Sequence, residues 1–432
     1  MPRLHNYSTV VFMQERVDKS RVSGRVRIPA SKSHTIRALI FATLADGRSR
    51  IQNPLDSNDT RSCMAMCRLL GAHIVPAPGE FIVEGTGGKL SVPENVIDVG
   101  NSGTTMYLGA GAAALAPGWS FITGDAQIRR RSIRHLLRSL EDLGAENFTS
   151  MGNGCAPFAI RGPLTGGITA IESHTSQFLS SLLMSLPLVE KDSEISVPIL
   201  NERPYVEMTL GWLDELGVRY EHDEMRHFRI PGRQKYHGFA RQVPADFSSA
   251  TFFLCAAAIT RSTLTLDGLS MEDTQGDKGV VDVLRQMGCD ITIEGTSITI
   301  TGKELSGGTF DLNAMPDALP ALAATACFAS SDTHIVNVPQ ARAKETDRIH
   351  VMAVELGRMG ARIDEAPDGM VIHPSQLAGD FVDGHSDHRA VMALAIAGLG
   401  ASGTTIIDTA ESAAVTFPTF FDDLRAVTRT AL

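Results

Sequence analysis

One local pattern recurs along the chain at a nearly constant spacing, and it constrains the fold more than any other feature. Each copy is an amphipathic helical segment that ends in Leu or Met, followed by Gly, a small apolar residue and a β-rich run. The glycines are Gly71, Gly144, Gly217, Gly288 and Gly360, in steps of 73, 73, 71 and 72 residues. Glycine directly after a helix is typical of a C-cap that requires a positive φ. The pattern therefore predicts repeated structural units of about 72 residues.

The spacing also predicts how many units the chain contains. A last helix-like segment, Asp422 to Thr430, fits a sixth unit, so that six units fill the 432 residues. The period exceeds that of a solenoid repeat, so we predict a duplicated α/β subdomain in which each unit runs strand, helix, strand, helix, strands. The clearest helices are 250–259, 279–287 and 389–399, and the clearest strands are 262–266, 291–300 and 403–407.

The chain is too long for a single hydrophobic core, and six units divide naturally into two domains of three. Pro244 interrupts the pattern just before a helix, which favours one domain boundary there. A second crossing near Pro29 would place the N-terminal strand with the second half of the chain. We therefore predict an inserted domain of residues 30–244 and a discontinuous domain of residues 1–29 plus 245–432.

Composition excludes several classes of protein. The net charge is -10 and the pI about 5.7, which argues against nucleic-acid binding and requires a local basic pocket for any anionic ligand. The six cysteines are scattered in apolar contexts typical of reduced thiols. Met1 to Lys19 contains no long apolar run, and Ala390 to Leu399 is too short to span a bilayer. We expect a cytoplasmic monomer without a membrane partner.

Three distant segments carry cations beside carboxylates or hydroxyls. They are Lys344–Arg348, Asp387–Arg389 and Ser31–Ser33. A fold that brings them together would form a cleft for a small, multiply anionic substrate, with an acid and a base at hand. His385 and His388 have a spacing that could suit a metal, but no third ligand follows with convincing spacing, so we predict no metal.

These segments resemble the enolpyruvyl transferase family over essentially the whole chain. The other matching positions, in chain order, are Pro29, Ala30, Arg37, Gly100–Thr104, Arg131, Ser176–Phe178, Pro204, Tyr205, Asp246, Ser248–Ala250 and Pro316–Ala318. The family branch that acts on UDP-N-acetylglucosamine fits less well, because its loop cysteine has no counterpart between Gly124 and Arg131. The resemblance implies two inside-out α/β domains, each of three βαβαββ-type repeats, with the active site in the interdomain cleft.

The resemblance also implies a reaction. The 5-hydroxyl of shikimate 3-phosphate attacks C2 of phosphoenolpyruvate, C3 is protonated, and the tetrahedral intermediate then loses phosphate. Asp317 is the implied base, although an Asp before a helix is also an ordinary N-cap. Lys344 and Glu345 are the implied acid/base pair, whose pKa values can tune each other, before a helix that we expect to begin at Thr346. No cofactor is implied.

Two groups of binding residues follow from the resemblance. The enolpyruvyl phosphate substrate is expected to contact Gly103, Thr104, Arg131, Arg348 and Arg389, where guanidinium groups suit a carboxylate and helix N–H groups suit an anion. Asp387 and His388 are expected to support Arg389. The ring substrate is expected to contact Lys32, Ser33, Arg37, Thr175, Ser176, Gln177, Tyr205 and Gln340.

Three positions depart from the family pattern. Tyr107 and Val415 stand where an Arg and a Lys are usual, and each lost charge-assisted contact costs roughly 2–5 kcal/mol. Glu202 stands where a Ser usually donates to the ring phosphate, and a carboxylate about 4 Å from a phosphate repels it by roughly 4 kcal/mol. Glu202 could instead pair with Arg203 and point away.

Three hypotheses remain open from the sequence. The first is a working carboxyvinyl transferase in which Arg129, Arg130 or Arg342 replaces the missing cations. The second is a homologue that eliminates water or phosphate from a shikimate-type cyclic acid without phosphoenolpyruvate. The third is a non-catalytic ligand-binding protein. Dependence on phosphoenolpyruvate separates the first two, and any turnover excludes the third.

Overall fold

A computed structural model describes residues 13–430; most of the segment considered for a secretory signal, and the last two residues, lie outside it. The α-helices of this part are α1 (Lys32–Leu44), α2 (Asn58–Leu69), α3 (Gly103–Ala113), α4 (Arg134–Asp142), α5 (Ser176–Ser185), α6 (Arg203–Glu215), α7 (Phe247–Ile259), α8 (Val280–Gln286), α9 (Leu319–Ala326), α10 (Arg348–Arg358), α11 (His388–Gly400) and α12 (Phe420–Val427). Short 3-10 segments are Ile128–Arg130, Leu186–Leu188, Gly276–Gly279, Pro316–Ala318, Pro339–Ala343 and Ala410–Val415. None of the helices between residues 13 and 430 is long and apolar enough to cross a membrane.

The strands alternate with these helices in the predicted order. Those of the first half are β1 (Glu15–Asp18), β2 (Ser20–Val22), β3 (Gly24–Arg27), β4 (Arg48–Gln52), β5 (His73–Ala77), β6 (Glu80–Glu84), β7 (Ile97–Asp98), β8 (Trp119–Thr123), β9 (Glu146–Thr149), β10 (Phe158–Arg161), β11 (Ile168–Ser173), β12 (Ser193–Leu200), β13 (Glu221–Asp223), β14 (His227–Ile230) and β15 (Ala240–Gln242). Those of the second half are β16 (Thr263–Asp267), β17 (Asp290–Glu294), β18 (Ser297–Thr301), β19 (Thr309–Asp311), β20 (Thr333–Val336), β21 (Arg362–Ala366), β22 (Gly369–His373), β23 (Phe381–Asp383), β24 (Thr404–Asp408) and β25 (Thr428–Thr430).

The sheets repeat one topology. Five four-stranded sheets have the orders β15-β4-β6-β5, β7-β8-β10-β9, β11-β12-β14-β13, β3-β16-β18-β17 and β19-β20-β22-β21. In all five, the first two strands are parallel; in three of the sheets these two strands flank a helix, and in the sheets that begin with β15 and β3 they are brought together by the two crossings of the chain. The third strand is antiparallel to the second and forms a hairpin with the fourth. In the sixth sheet, β1-β24-β23, the N-terminal β1 takes the place of the hairpin. This is the βαβαββ repeat that was predicted, and the α/β fold class is confirmed.

The five repeat glycines all end helices, as the sequence predicts. Their φ values are 105° at Gly71, 103° at Gly144, 70° at Gly217, 108° at Gly288 and 98° at Gly360. Each stands one residue beyond the C-cap of α2, α4, α6, α8 or α10. Glycine is favoured because an L side chain is strained at this φ.

Three helices differ from the prediction at a boundary by two residues or more, and one of them is α7, which starts at Phe247 rather than at 250. The last helix ends at Val427, and the chain continues as β25 antiparallel to β2, because the open edge of β2 offers backbone partners to a β-branched segment. The helix predicted to begin at Thr346 begins at Arg348, since the side chain of Asp347 caps it by accepting from the backbone N–H of His350 at 3.1 Å.

The buried apolar residues form two separate cores. One draws on residues between Ala30 and Val243, and the other on Val17 to Ile28 together with residues from Ala245 to Val427. The chain crosses between them twice, side by side: the N–H of Ser31 donates to the Pro244 carbonyl at 2.8 Å, and that of Asp246 to the Pro29 carbonyl at 2.9 Å. We propose that the domain boundaries lie at these crossings, with residues 30–244 forming one domain and the rest of the chain forming the other.

Candidate active site

Helix N-termini from both cores meet at one cleft. The first residues of α1, α3, α5 and α10 are Lys32, Gly103, Ser176 and Arg348, and the second residue of α11 is Arg389. Capping side chains fix four of these ends: Ser31, Ser102, Asp347 and Asp387 each accept from a backbone N–H in the first turn. Helix N-termini carry partial positive charge and free N–H groups, so their convergence creates a site for anions.

Two small adjoining cavities occupy this cleft. One, of about 30 Å³, is lined by Lys32, Gly103, Thr104, Arg131, Gln177, Asp317, Lys344, Glu345, Arg348 and Arg389. The other, of about 40 Å³, is lined by Lys32, Ser33, Arg37, Thr104, Ser176, Gln177, Glu202, Tyr205, Pro316, Asp317 and Lys344. The first contains every residue predicted for the enolpyruvyl phosphate substrate, and the second most of those predicted for the ring substrate. The predicted catalytic residues Asp317 and Lys344 line both.

Thr175 and Gln340 line a neighbouring cavity of about 300 Å³ instead. The hydroxyl of Thr175 donates to Oε2 of Glu202 at 3.0 Å. The amide of Gln340 donates to the Asn313 carbonyl at 3.0 Å, and its buried Oε1 has no partner among the described residues. The structure therefore places these two predicted ring contacts beside the small cavities rather than in them.

Asp317 is not a helix cap. Its Oδ1 lies 2.8 Å from Nη1 of Arg348, and its Oδ2 lies 2.9 Å from Nη2 of Arg389. Burial opposes ionisation of this carboxyl, but Arg389, Lys344 and Arg348 outweigh it and hold its pKa well below the usual range. The two guanidinium groups thus keep Asp317 ionised.

Lys344 and Glu345 face different partners. Nζ of Lys344 lies 2.5 Å from Oε1 of Glu202, while Glu345 pairs with Arg348 and, at 3.0 Å, with Arg131. Burial lowers the pKa of Lys344, but the negative charges of Glu202 and Asp317 raise it by more, so the net shift of this pKa is upward. Burial would raise the pKa of Glu345, yet Arg131 and Arg348 hold it well below its usual range. Lys344 and Glu345 were expected to shift each other's pKa values, but the main charged partners that shift them are other residues, most of which are distant in the sequence.

Glu202 is buried and fully engaged. Its Oε2 accepts from the hydroxyl of Thr175 at 3.0 Å, and from the backbone N–H and hydroxyl of Ser176 at 3.1 and 2.8 Å. The prediction that it could pair with Arg203 is wrong, because Arg203 pairs with Glu207 at 3.3 Å. Glu202 has a φ of 56°, a backbone conformation that costs a non-glycine residue free energy. Its carboxylate thus takes donors that were predicted for the ring substrate.

The other cations of the cleft are also held internally. Lys32 lies 3.1 Å from the buried Asp59, and Arg348 bonds Asp387 as well as Asp317. Arg37 donates to the hydroxyl of Thr209 at 2.9 Å and to the Tyr205 carbonyl at 3.0 Å, and its burial lowers its pKa to about 10. The protein therefore supplies its own carboxylates where anionic ligands are expected.

The chain matches one known family along nearly its full length. A profile of EPSP synthase (3-phosphoshikimate 1-carboxyvinyltransferase) matches residues 17–424. The chain belongs to the EPSP synthase family. A 3-phosphoshikimate 1-carboxyvinyltransferase of Acetivibrio thermocellus is 54% identical over 409 residues, covering 95% of this chain and 97% of the relative. One from Methanococcoides burtonii is 42% identical over 422 residues, covering 96% and 98%. The EPSP synthase of Acinetobacter baumannii has a similar structure, with a TM-score of 0.81 at 28% identity over 97% of this chain and 99% of that one.

Tyr107 and Val415 stand where the EPSP synthase family usually has an Arg and a Lys, and the structure does not bring the expected replacement cations to these positions. Tyr107 is buried, with its ring edge against Phe178 and its hydroxyl 3.3 Å from the Ser132 carbonyl, and burial raises its pKa to about 12. Val415 ends a 3-10 segment and is half-buried. The prediction that Arg342 substitutes is wrong, because Arg342 lies 2.6 Å from Asp347 and also pairs with Glu365.

Arg129 and Arg130 are exposed, and Arg129 donates to the Gly124 carbonyl, so neither points into the two small cavities. His385 bonds Glu355 at 2.9 Å and is not part of a metal pair with His388. His388 is buried, which lowers its pKa to about 3.

Sequence reasoning missed two aspartates that contact residues of the cleft. Asp59 pairs with Lys32 from the first turn of α2, and Asp277 accepts from the hydroxyl of Tyr205. Burial and the neighbouring Asp317 raise the pKa of Asp277 to about 6. The capping box at Ser57 predicts where α2 begins, but nothing near either aspartate indicates a partner so far away along the chain.

Proposed function

We propose that this protein transfers the carboxyvinyl group of phosphoenolpyruvate to the 5-hydroxyl of shikimate 3-phosphate. The observation that carries the proposal is the meeting of Asp317, Lys344 and Glu345 with Arg131, Arg348 and Arg389 in one cleft. Relatives 42–54% identical over most of the chain bear the name of this activity. Elimination from a cyclic acid has no such support.

The ion pairs suggest how substrate binding activates the base. The carboxylate of phosphoenolpyruvate takes the guanidinium groups of Arg348 and Arg389 from Asp317, and two such charge-assisted contacts favour a planar carboxylate. The pKa of Asp317 then rises, and the carboxylate can accept the proton of the 5-hydroxyl.

The remaining steps use the other half of the cleft. As the 5-oxygen bonds to C2, the protonated Lys344 delivers a proton to C3, which becomes a methyl group. The ionised Glu345 then accepts a proton from that methyl group as phosphate leaves C2, which restores the vinyl group. Arg131 lies beside the first residue of α3 and is placed to stabilise the phosphate that leaves.

The ring phosphate must displace Glu202. The hydroxyls of Thr175 and Ser176, the N–H of Ser176 and the ammonium of Lys344 all point at the Glu202 carboxylate, and they are the kind of donors that a phosphate requires. A ring acid without the phosphate would leave Glu202 in place. That arrangement is the reason to assay shikimate beside shikimate 3-phosphate.

The cleft must also open. For the substrates to enter and then be enclosed, the two cores would separate and close about the crossings near Pro29 and Pro244. A monomeric state and a cytoplasmic location remain part of the proposal.

The test measures phosphate release by the purified protein in three conditions: with shikimate 3-phosphate alone, with phosphoenolpyruvate alone, and with both substrates. Release that requires both substrates, with a carboxyvinyl adduct as product, supports the transferase. Release without phosphoenolpyruvate, or loss of water from shikimate, would replace it with elimination.

A further inference from the structure

Three side chains converge beside the catalytic cleft without a role in the proposed reaction. They are His135 in the first turn of α4, Glu172 near the end of β11 and His174 just after that strand. Nδ1 of His135 lies 3.5 Å and Nε2 of His174 lies 3.4 Å from the same carboxylate oxygen, Oε2 of Glu172. One ligand atom from each of the three residues lies within 4.8 Å of the others.

These spacings suit a tetrahedral ion. Zinc binds imidazole nitrogen and carboxylate oxygen at about 2.0–2.2 Å, which places neighbouring tetrahedral ligands about 3.3–3.5 Å apart. The two measured separations from Glu172 match that edge. The same separations would suit ion pairs if the imidazoles were protonated, but none of the three side chains forms a hydrogen bond among residues 13–430.

The backbone around the three residues is fixed by contacts of α4 with β11. The hydroxyl of Ser139 donates to the Ala170 carbonyl at 3.3 Å, and that of Thr169 donates to the Asp142 carboxylate at 2.7 Å. The ring of His135 also stacks on Phe178, with 6.4 Å between the ring centroids. A site whose ligands are held in this way loses little conformational entropy when an ion binds.

We propose that His135, Glu172 and His174 bind one divalent transition-metal ion of the zinc class. A set of two imidazoles and one carboxylate binds Zn²⁺ or Co²⁺ in preference to Mg²⁺ or Ca²⁺. The three side chains are 36, 48 and 51% exposed, so water or a ligand can fill the fourth position.

The site borders the larger cavity of the cleft. His135 and His174 line the cavity of about 300 Å³ together with Arg131 and Lys344, and His174 directly precedes Thr175. A bound ion would add positive charge at the rim of this cavity. It would also fix the position of His174, and so of the following Thr175 and Ser176, which donate to Glu202. The inference stands independently of the reaction proposed above.

The test is Zn²⁺ titration of metal-stripped protein by calorimetry, with Co²⁺ absorption as the report of a tetrahedral site. We expect one ion per chain in the micromolar range. The variants His135→Ala, Glu172→Gln and His174→Ala should each raise Kd at least about 10-fold. A Cys155→Ser background removes the one partly exposed thiol of the six cysteines.

The matched control is His227→Ala. His227 lies 3.8 Å from Glu194 and forms an exposed His–Glu pair that belongs to no three-residue ligand group among residues 13–430, so its loss should leave Kd unchanged. All three ligand residues are partly exposed, and melting in EDTA checks that each variant is folded. Absence of binding up to about 1 mM, or equal losses in the ligand variants and the control, would overturn the proposal.

Discussion

Nζ of Lys344 lies 2.5 Å from Oε1 of Glu202, and this ion pair joins the two cores across the cleft. Glu345 and Arg131 form a second such pair at 3.0 Å. Each pair joins a residue of one core segment to a residue of the other. Two ion pairs thus bridge the cleft, and the anionic groups of the proposed substrates must replace these carboxylates.

Replacing Glu202 by Ser should favour the phosphorylated ring substrate. Removing the carboxylate frees the Ser176 N–H and hydroxyl and Lys344, and it removes a repulsion of roughly 4 kcal/mol at 4 Å. We expect KM for shikimate 3-phosphate to fall about 10-fold or more, measured by steady-state kinetics. Glu207→Ser, which alters an exposed carboxylate paired with Arg203, is the control. A higher KM in the Glu202 variant would mean that Glu202 assists ring binding.

Gly103→Ala should impair phosphoenolpyruvate binding without unfolding α3. A Cβ at Gly103 would lie 2.1 Å from Nη1 of Arg131, so the guanidinium must move. We expect KM for phosphoenolpyruvate to rise about 10-fold or more, with KM for the ring substrate little changed. Gly211→Ala in α6 is the matched control, because its Cβ would meet no atom within 4 Å. Equal KM values in the two variants would show that Arg131 does not hold this substrate.

Asp317→Asn should remove the proposed base. The amide is nearly the same size and keeps a partner for Arg348 or Arg389, but it cannot accept the hydroxyl proton. We expect kcat to fall about 100- to 10,000-fold, with circular dichroism unchanged. A fall smaller than tenfold would assign the base to another residue, and Glu345→Gln would then be the next variant to assay.

Asp277→Asn should change how stability depends on pH. Burial and Asp317 raise the pKa of Asp277 to about 6 from 3.8, so the native state favours its protonated form. This contribution to stability is present below about pH 4 and is lost as the pH rises through about 6, a change of roughly 3 kcal/mol. Denaturation with urea should show the variant gaining about that much over the wild type between pH 4 and pH 7.

The control for that experiment is Asp282→Asn, since Asp282 is exposed in the nearby helix α8. Its stability should track that of the wild type at each pH. A constant difference between Asp277→Asn and the wild type would contradict the raised pKa.

Domain movement should be visible in solution. Saturating ring substrate neutralises the cations of the cleft, so we expect the two cores to close about the crossings near Pro29 and Pro244 and the radius of gyration from small-angle scattering to fall. Unchanged scattering at saturating ring substrate would argue against this motion.

Local rules in the sequence predicted the repeating fold. A helix that ends in αL requires glycine wherever it occurs, so Gly71 to Gly360 mark five unit boundaries without any tertiary information. The end of the chain was harder, because whether Thr428 to Thr430 continue α12 or form a strand depends on the open edge of β2, which lies at the other end of the sequence.

The candidate site was predicted less completely than the fold. The helix starts and their cations were recognisable, and the structure gathers them in one cleft. The partners were not, because Asp59, Asp277 and the orientation of Glu202 depend on contacts between segments that the sequence separates widely. The resemblance predicted that residue 202 donates a hydrogen bond to the ring phosphate. In the structure, Glu202 is instead an acceptor, and its carboxylate binds Thr175, Ser176 and Lys344.

The most direct test of the account measures phosphate release and product mass with shikimate 3-phosphate, with and without phosphoenolpyruvate, and with shikimate alone. The account predicts phosphate release only when both substrates are present, together with a product heavier than shikimate 3-phosphate by the carboxyvinyl group. A product lighter than shikimate by one water, or phosphate released without phosphoenolpyruvate, would contradict it.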